Sequence, residues 1–198
     1  MPFITRKAVR LVAGLALAAS LAGCLVPEKF SAAVEMKPDG SYTYKYDGTA
    51  THALAAMAIK KQGALTAKDE AGLKQEADKA AKAPGVRKLD YLGSGRYQVS
   101  VDRELKPGQQ PDLMKIVSVT KDTAGVFTIA GSPLKQKDKD GLKELGIKID
   151  GTLEVRLPAN AKVISQNADG TPGLISKAYS WKIGSVDARP EIKFQLAP

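Results

Sequence analysis

The sequence predicts an α+β domain, in which an antiparallel β-sheet of several hairpins is combined with two helices of small side chains after the first hairpin. Residues 30–47 alternate apolar and polar side chains around a Pro-Asp-Gly turn, which is the period of a half-buried strand. Residues 50–83 are rich in alanine at helical spacing, and alternation returns after them. No repeat or linker divides residues 30–198, so we expect one domain there.

The first hairpin is predicted by the turn Lys37-Pro38-Asp39-Gly40. Proline presets the first corner of a type I turn, and glycine supplies the left-handed residue that closes a three-residue loop. Directly paired residues share a face, so the loop places the tyrosines of the second strand on the apolar side. The expected pairs are Met36 with Tyr42, Val34 with Tyr44, and Ala32 with Tyr46.

Two helices are predicted next. The first covers residues 50–62, where Leu54, Met57 and Ala58 form an apolar face that ends at Lys60 and Lys61. The second begins after Thr66, whose hydroxyl can accept from the amide of Asp69 while the Asp69 carboxylate reciprocates. It ends before Pro84-Gly85.

The rest of the chain predicts strands. Gly93-Ser94-Gly95 and residues 122–125 are the turns of two further hairpins. Residues 133–144 are charged and predict a loop or one short helix, and alternation then resumes from residue 147. The predicted strands cover residues 89–91, 97–101, 116–119, 126–129, 147–157, 162–166, 179–183 and 192–196.

The N-terminus has the parts of an export signal. Three basic residues, Arg6, Lys7 and Arg10, precede an apolar run over residues 11–21, and no acidic residue occurs before Glu28. This order is typical of a secretory signal. The run is shorter than the roughly 20 apolar residues that a helix needs to cross a bilayer.

The signal ends in Leu21-Ala22-Gly23-Cys24, which resembles the lipobox of bacterial lipoproteins. The resemblance implies cleavage between Gly23 and Cys24, a diacylglyceryl thioether on the Cys24 sulfur, and usually acylation of the new amino group. Residues 24–29 are then expected to form a lipidated tether. A plain secretory signal with an incidental cysteine is the alternative, but Cys24 is the only cysteine, and a lone free thiol is unfavourable in an exported protein.

The net charge indicates which partners to expect, and the residue after Cys24 indicates which membrane. Without residues 1–23 the chain keeps 27 basic and 21 acidic residues, a formal charge of +6. That excess favours anionic lipids, glycolipids or envelope proteins as partners, although solubility alone would also explain it. Nucleic acid is not expected outside the cytoplasm. Leu25 follows the cysteine where an aspartate would signal the inner membrane, which implies the outer membrane, facing the periplasm, in a two-membrane envelope.

The sequence gives little support for a catalytic site or a metal site. The chain has one histidine and no cysteine besides Cys24, so a His/Cys metal site is not expected, and neither is a cofactor. His52 falls at the start of the first helix, where we interpret it as a capping or partly exposed residue. Trp181 lies on an alternating strand and is interpreted as core. We therefore expect no enzyme, with a hydrolase using carboxylates or a Ser-Lys pair as the less favoured alternative.

Three segments resemble the LppM-like bacterial lipoproteins: Gly151-Thr-Leu-Glu-Val-Arg-Leu-Pro158, Val163-Ile-Ser-Gln-Asn167 and Tyr179-Ser-Trp-Lys-Ile-Gly184. The Cys24-Leu25 start and the final alternation Ile192-Lys-Phe-Gln-Leu196 fit the same layout. The resemblance covers about the last fifty residues and the start, and the alanine-rich helices have no counterpart in it. It implies an α+β envelope domain with lipid binding and no known reaction.

The expected function is that of a membrane-anchored, non-catalytic envelope lipoprotein that binds a lipid, a glycolipid or a partner protein. A structural or assembly role without a small ligand is the alternative. A pocket between the first helix and the sheet would place Leu54 and Met57 along an acyl chain, with Lys60 and Lys61 near an anionic headgroup. The other possibility is that the helix packs flat on the tyrosine face of the first hairpin.

Overall fold

The computed structural model describes residues 25–174 and 176–197. The described part contains ten strands in two sheets and three helices, which confirms the α+β class. The expected signal, residues 1–23, and the expected lipidation site, Cys24, lie outside the described residues. The elements are β1 (Leu25–Met36), β2 (Tyr42–His52), α1 (Ala53–Gln62), α2 (Ala67–Ala80), β3 (Val86–Gly93), β4 (Arg96–Leu105), β5 (Val117–Lys121), β6 (Val126–Gly131), α3 (Gln136–Glu144), β7 (Asp150–Arg156), β8 (Ala161–Gln166), β9 (Tyr179–Ile183) and β10 (Glu191–Leu196).

The strands form a larger sheet in the order β3-β4-β2-β1-β7-β9 and a smaller one in the order β5-β6-β10-β8. All neighbours are antiparallel except β1 and β7, which run parallel from Lys29 opposite Asp150 to Glu35 opposite Arg156. The hairpins β1–β2, β3–β4 and β5–β6 were predicted, whereas the division into two sheets and the parallel pair were not. A parallel pair joins strands that are far apart in sequence, so no local turn signal predicts it.

The first hairpin has the predicted register, with Met36 opposite Tyr42 and Val34 opposite Tyr44. At the turn, the Lys37 amide donates to the Ser41 carbonyl at 2.9 Å, and Gly40 has the left-handed φ of 85°. The tyrosines of β2 face the interior and are almost fully buried. The Tyr44 hydroxyl donates to the Met114 carbonyl at 2.6 Å.

One face of the larger sheet is apolar and meets helix α2 and the smaller sheet in a single buried cluster. Leu73 and Ala77 are the buried residues of α2, which packs on the β3 side. Phe127 and Phe194 of the smaller sheet stack at 5.3 Å between ring centroids. Trp181, predicted as core, is 5% exposed, and its indole Nε1 donates to Asn167 Oδ1 at 2.8 Å.

The prediction of a tether was wrong for residues 25–29. Residues 25–29 are the first part of β1, and Leu25 and Val26 lie opposite His52 and Thr51 of β2. Strand β2 is longer than the sequence pattern indicated, so these residues have a partner. The register shifts between Pro27 and Phe30, and a proline is tolerated at such a bulge because it need not donate to the ladder.

The longer β2 also moves the start of the first helix. Thr51 and His52 belong to β2, so α1 begins at Ala53 rather than at residue 50. The predicted capping box of α2 is confirmed: the Asp69 amide donates to Thr66 Oγ1 at 3.2 Å, and the Thr66 amide donates to Asp69 Oδ2 at 3.3 Å.

Candidate functional site

Helix α1 is held at one end of the larger sheet by its capping residue. His52 Nδ1 accepts from the Ala55 amide at 3.2 Å, which confirms the capping interpretation. The side chain is buried, so the expectation of partial exposure was wrong. Burial lowers the pKa of His52 below its ordinary value, because desolvation disfavours the charged imidazolium. A neutral imidazole keeps the lone pair that caps the helix.

A close backbone approach places α1 against the β3–β4 turn. The His52 amide donates to the Gly95 carbonyl at 2.8 Å. A Cβ atom at Gly95 would collide with the Ala55 methyl group, and Gly95 also has a left-handed φ of 71°. Ala55 is the one buried residue of α1. Small residues on both sides of this contact let the helix lie directly on the turn.

The same turn is tied to α2. The Tyr91 hydroxyl donates to the Glu70 carboxylate and accepts from the Gly95 amide at 3.0 Å. The Ser94 amide donates to Glu70 Oε1 at 3.1 Å. Burial, together with the bond to Glu70, raises the pKa of Tyr91 to about 12. These contacts therefore connect three segments into one corner of the domain next to Leu25: the start of α1, the β3–β4 turn and the start of α2.

The residues predicted to line a ligand pocket lie on the outer surface of this corner. The side chains of Leu54 and Met57 are 48% and 41% exposed. Lys60 Nζ contacts Glu144 of α3, at 3.0 Å to Oε1 and 2.8 Å to the carbonyl oxygen. Lys61 is exposed. This arrangement matches neither of the two expected ones. Leu54 and Met57 do not enclose an acyl chain under α1, and they do not pack the helix flat on the first hairpin, because Ala55 is the residue of α1 that faces inward. Ligand binding by the four residues stays a prediction.

Two adjoining clefts open at the opposite end of β1, around the first hairpin turn. They have volumes of about 690 and 530 Å³ and share Asp39, Lys121 and Phe127. Their other basic residues are Lys106 in the first and Lys162 in the second. The sequence analysis missed these distal clefts because their residues come from five separate segments. The remaining lining residues are Pro38, Gly40, Ser41, Pro107, Gly108, Thr120, Ala124, Gly125, Gln195, Leu196 and Ala197.

Positive charge dominates the distal clefts. Lys121 Nζ lies 5.0 Å from the centroid of the buried Phe127 ring, a cation–π arrangement. Asp39 Oδ1 is occupied within the turn, since it accepts from the Ser41 amide at 2.9 Å and from Ser41 Oγ at 2.7 Å. These bonds lower the pKa of Asp39. Lysines 106, 121 and 162 are all exposed, so their ammonium groups are accessible to an anionic ligand.

Strand β1 separates the two ends of the domain. It spans 12 residues from Leu25 to Met36, and a strand rises roughly 3.3 Å per residue. The distal clefts therefore lie roughly 36 Å from the residue that follows Cys24.

Within residues 25–174 and 176–197, no three His, Cys, Asp or Glu side chains are grouped so that they could hold a metal ion. No helix of the described chain is long and apolar enough to cross a membrane.

Comparisons with known proteins give a distant similarity to a solved structure. No family model matches the chain, and no curated protein does. Among solved structures, the NMR structure of the folded domain of LppM from Mycobacterium tuberculosis is similar, at 14% sequence identity and a TM-score of 0.44. The match covers 88% of this chain and 93% of that one. The similarity is distant in sequence and in structure.

Proposed function

We propose that this protein is a membrane-anchored envelope lipoprotein, acylated at Cys24, whose non-catalytic domain binds an anionic envelope glycolipid or glycan at the distal clefts. The observation that carries the proposal is the geometry of β1. Its first residue directly follows the expected lipid anchor, and its last residue precedes the turn around which the clefts open. In a two-membrane envelope the proposed site is the periplasmic face of the outer membrane.

The chemistry of the distal clefts favours phosphate or carboxylate groups on a polar scaffold. Lys106, Lys121 and Lys162 supply accessible cations, and a lysine ammonium binds phosphate as a point charge. The clefts are open and lie around a polar turn, which suits a headgroup or a glycan better than an acyl chain. The net positive charge of the chain adds a long-range attraction for such ligands.

The structural roles of His52 and Asp39 support a non-catalytic function. The single histidine is buried and caps α1. The Asp39 carboxylate, which lines both clefts, is ionised and bonded to Ser41. His52 lies at the other end of β1 from the clefts, and the lowered pKa of Asp39 makes its carboxylate a weak base.

Binding of fluorescent lipopolysaccharide by the full-length acylated protein, held in phosphatidylcholine vesicles, tests the cleft assignment. The triple substitution Lys106→Ala, Lys121→Ala and Lys162→Ala should weaken binding roughly tenfold, because an exposed ion pair contributes about 0.2–1 kcal/mol. The affinity of the unsubstituted protein should also fall with added salt, since exposed charges are screened.

The matched control removes three exposed lysines from the outer face of the larger sheet, through Lys45→Ala, Lys88→Ala and Lys182→Ala. It changes the net charge by the same amount and leaves the clefts intact. Affinity close to that of the unsubstituted protein supports the clefts as the site. Equal losses in both triple variants would show that only the net charge matters and would contradict the assignment.

A further inference from the structure

Exposed apolar side chains gather at the Leu25 end of the domain. The described part of the chain has five large hydrophobic residues whose side chains are strongly exposed, and three of them are Leu54, Met57 and Leu92. Leu54 and Met57 lie one turn apart on α1, and Leu92 precedes the β3–β4 turn on which α1 packs. The other two are Ile164 and Leu174. Large apolar side chains exposed at one end of a folded domain favour contact with a protein or a membrane there.

The register of the larger sheet brings these residues to the end where β1 begins. Leu25 lies opposite His52, which caps α1. Thr51 lies opposite Arg96, the first residue of β4 after the turn. The β3–β4 turn, the start of α1 and the start of β1 therefore share one end of the sheet. We call this end, with Leu54, Met57 and Leu92, the anchor-end surface.

The chain leaves little distance between this surface and Cys24. Consecutive Cα atoms are about 3.8 Å apart, and Leu25 is already paired in β1. A diacylglyceryl group on Cys24 would therefore hold the start of β1 at the headgroup layer, with no linker to let the domain move away. The anchor-end surface would then face the bilayer.

Charge at the same end is compatible with anionic lipids. Lys60 and Lys61 form the basic last turn of α1. The nearby carboxylates of Glu28 and Glu144 are each within salt-bridge distance of a cation, Arg96 at 3.3 Å and Lys60 at 3.0 Å. Apolar side chains flanked by lysines suit the interface between headgroups and acyl chains.

We propose that the anchor-end surface inserts Leu54, Met57 and Leu92 into the headgroup region of the anchoring membrane. The domain then sits in a defined orientation, with the distal clefts pointing away from the bilayer. This inference rests on the acylation of Cys24 in the proposed function. It assigns the exposed residues of α1 to the membrane surface rather than to a ligand pocket.

Fluorescence quenching in vesicles tests the proposal. Since Cys24 is the only cysteine and its sulfur is acylated in the proposed protein, a new cysteine is the only free thiol. Met57→Cys and, separately, Leu92→Cys are labelled with the fluorophore NBD in the full-length acylated protein. The proteins are reconstituted in phosphatidylcholine–phosphatidylglycerol vesicles that contain a lipid spin-labelled near the headgroup. The matched control is Ile164→Cys, an exposed apolar position on β8 of the smaller sheet.

The proposal predicts a blue-shifted emission and loss of most of the NBD fluorescence to the spin label at positions 57 and 92, with neither effect at position 164. Vesicle flotation is measured on the same samples. Protein that floats with labels unquenched at 57 and 92 would overturn the membrane orientation and leave the lipid anchor intact. Labels shielded from aqueous iodide but not quenched by the lipid would indicate a second copy of the chain on this surface, which also overturns the proposal. Protein that fails to float would overturn the anchor and, with it, this inference.

Discussion

Leu25 and His52 lie opposite each other at the first register position of the β1–β2 ladder. Leu25 follows the expected lipid anchor, and the side chain of His52 caps helix α1. This pairing joins the residue next to the expected anchor to the helix that carries the exposed Leu54 and Met57.

Substitution of His52 should make the stability of the domain less dependent on pH. Burial lowers the pKa of His52 in the folded state below the ordinary value of 6.5, so below that pH the unfolded chain binds the proton first. Stability is therefore full above about pH 6.5 and is lost as the pH falls from there towards the folded-state pKa. His52→Asn keeps an oxygen that can cap the helix and does not titrate.

We expect the melting temperature of the unsubstituted protein to fall more between pH 7.5 and pH 5.5 than that of His52→Asn. His52→Ala, which removes the cap, should cost about 1 kcal/mol at pH 7.5. Equal pH dependence of the unsubstituted and Asn proteins would contradict the role given to the imidazole.

Two buried tyrosines should respond in opposite ways to loss of the hydroxyl group. The Tyr97 hydroxyl is buried without a hydrogen-bond partner among the described residues, so Tyr97→Phe should leave stability unchanged or raise it. The Tyr44 hydroxyl bonds the Met114 carbonyl at 2.6 Å, so Tyr44→Phe should cost about 1–3 kcal/mol, since a buried acceptor loses its partner. Urea denaturation of the two variants measures the difference, and a larger loss at Tyr97 would refute it.

A methyl group at Gly151 should destabilise the centre of the larger sheet. The Phe30 ring lies over Gly151, where a Cβ atom would collide with it, and the same ring stacks on Tyr46 with centroids 5.4 Å apart. Gly151→Ala should therefore cost about 1–3 kcal/mol through overpacking. Gly141→Ala, within α3 and facing open space, should instead stabilise by about 0.5–1 kcal/mol. Denaturation curves that moved in the same direction for both glycines would contradict this account of the packing.

Local signals account for the part of the fold that the sequence predicts. Lys37-Pro38-Asp39-Gly40 sets the register of the first hairpin, and Thr66 with Asp69 starts α2, because each depends on neighbours within a few residues. The position of β7 beside β1 is set by a parallel ladder in which Phe30 lies opposite Gly151, and no local pattern reveals it. The sequence after residue 50 is rich in alanine and predicted a helix there, so the last residues of β2 were not identified as a strand.

The candidate sites follow the same division. The sequence identified Leu54, Met57, Lys60 and Lys61 as a group on α1, because helical spacing places them together. The sequence could not show that Ala55 packs against Gly95, which leaves Leu54 and Met57 on the surface. The distal clefts combine residues near positions 39, 106, 121 and 162, which only the packing of the smaller sheet against the first hairpin brings together.

The proposed attachment of the folded domain to a membrane through a lipid on Cys24 can be measured by intact-mass spectrometry of membrane-extracted protein. We expect a chain that begins at Cys24 and carries the added mass of a diacylglyceryl group, usually with a further acyl chain. Cys24→Ser should leave an unlipidated, uncleaved or mislocalised precursor. A mature chain with unmodified Cys24, or a Cys24→Ser chain that still carries lipid at its N-terminus, would contradict the account.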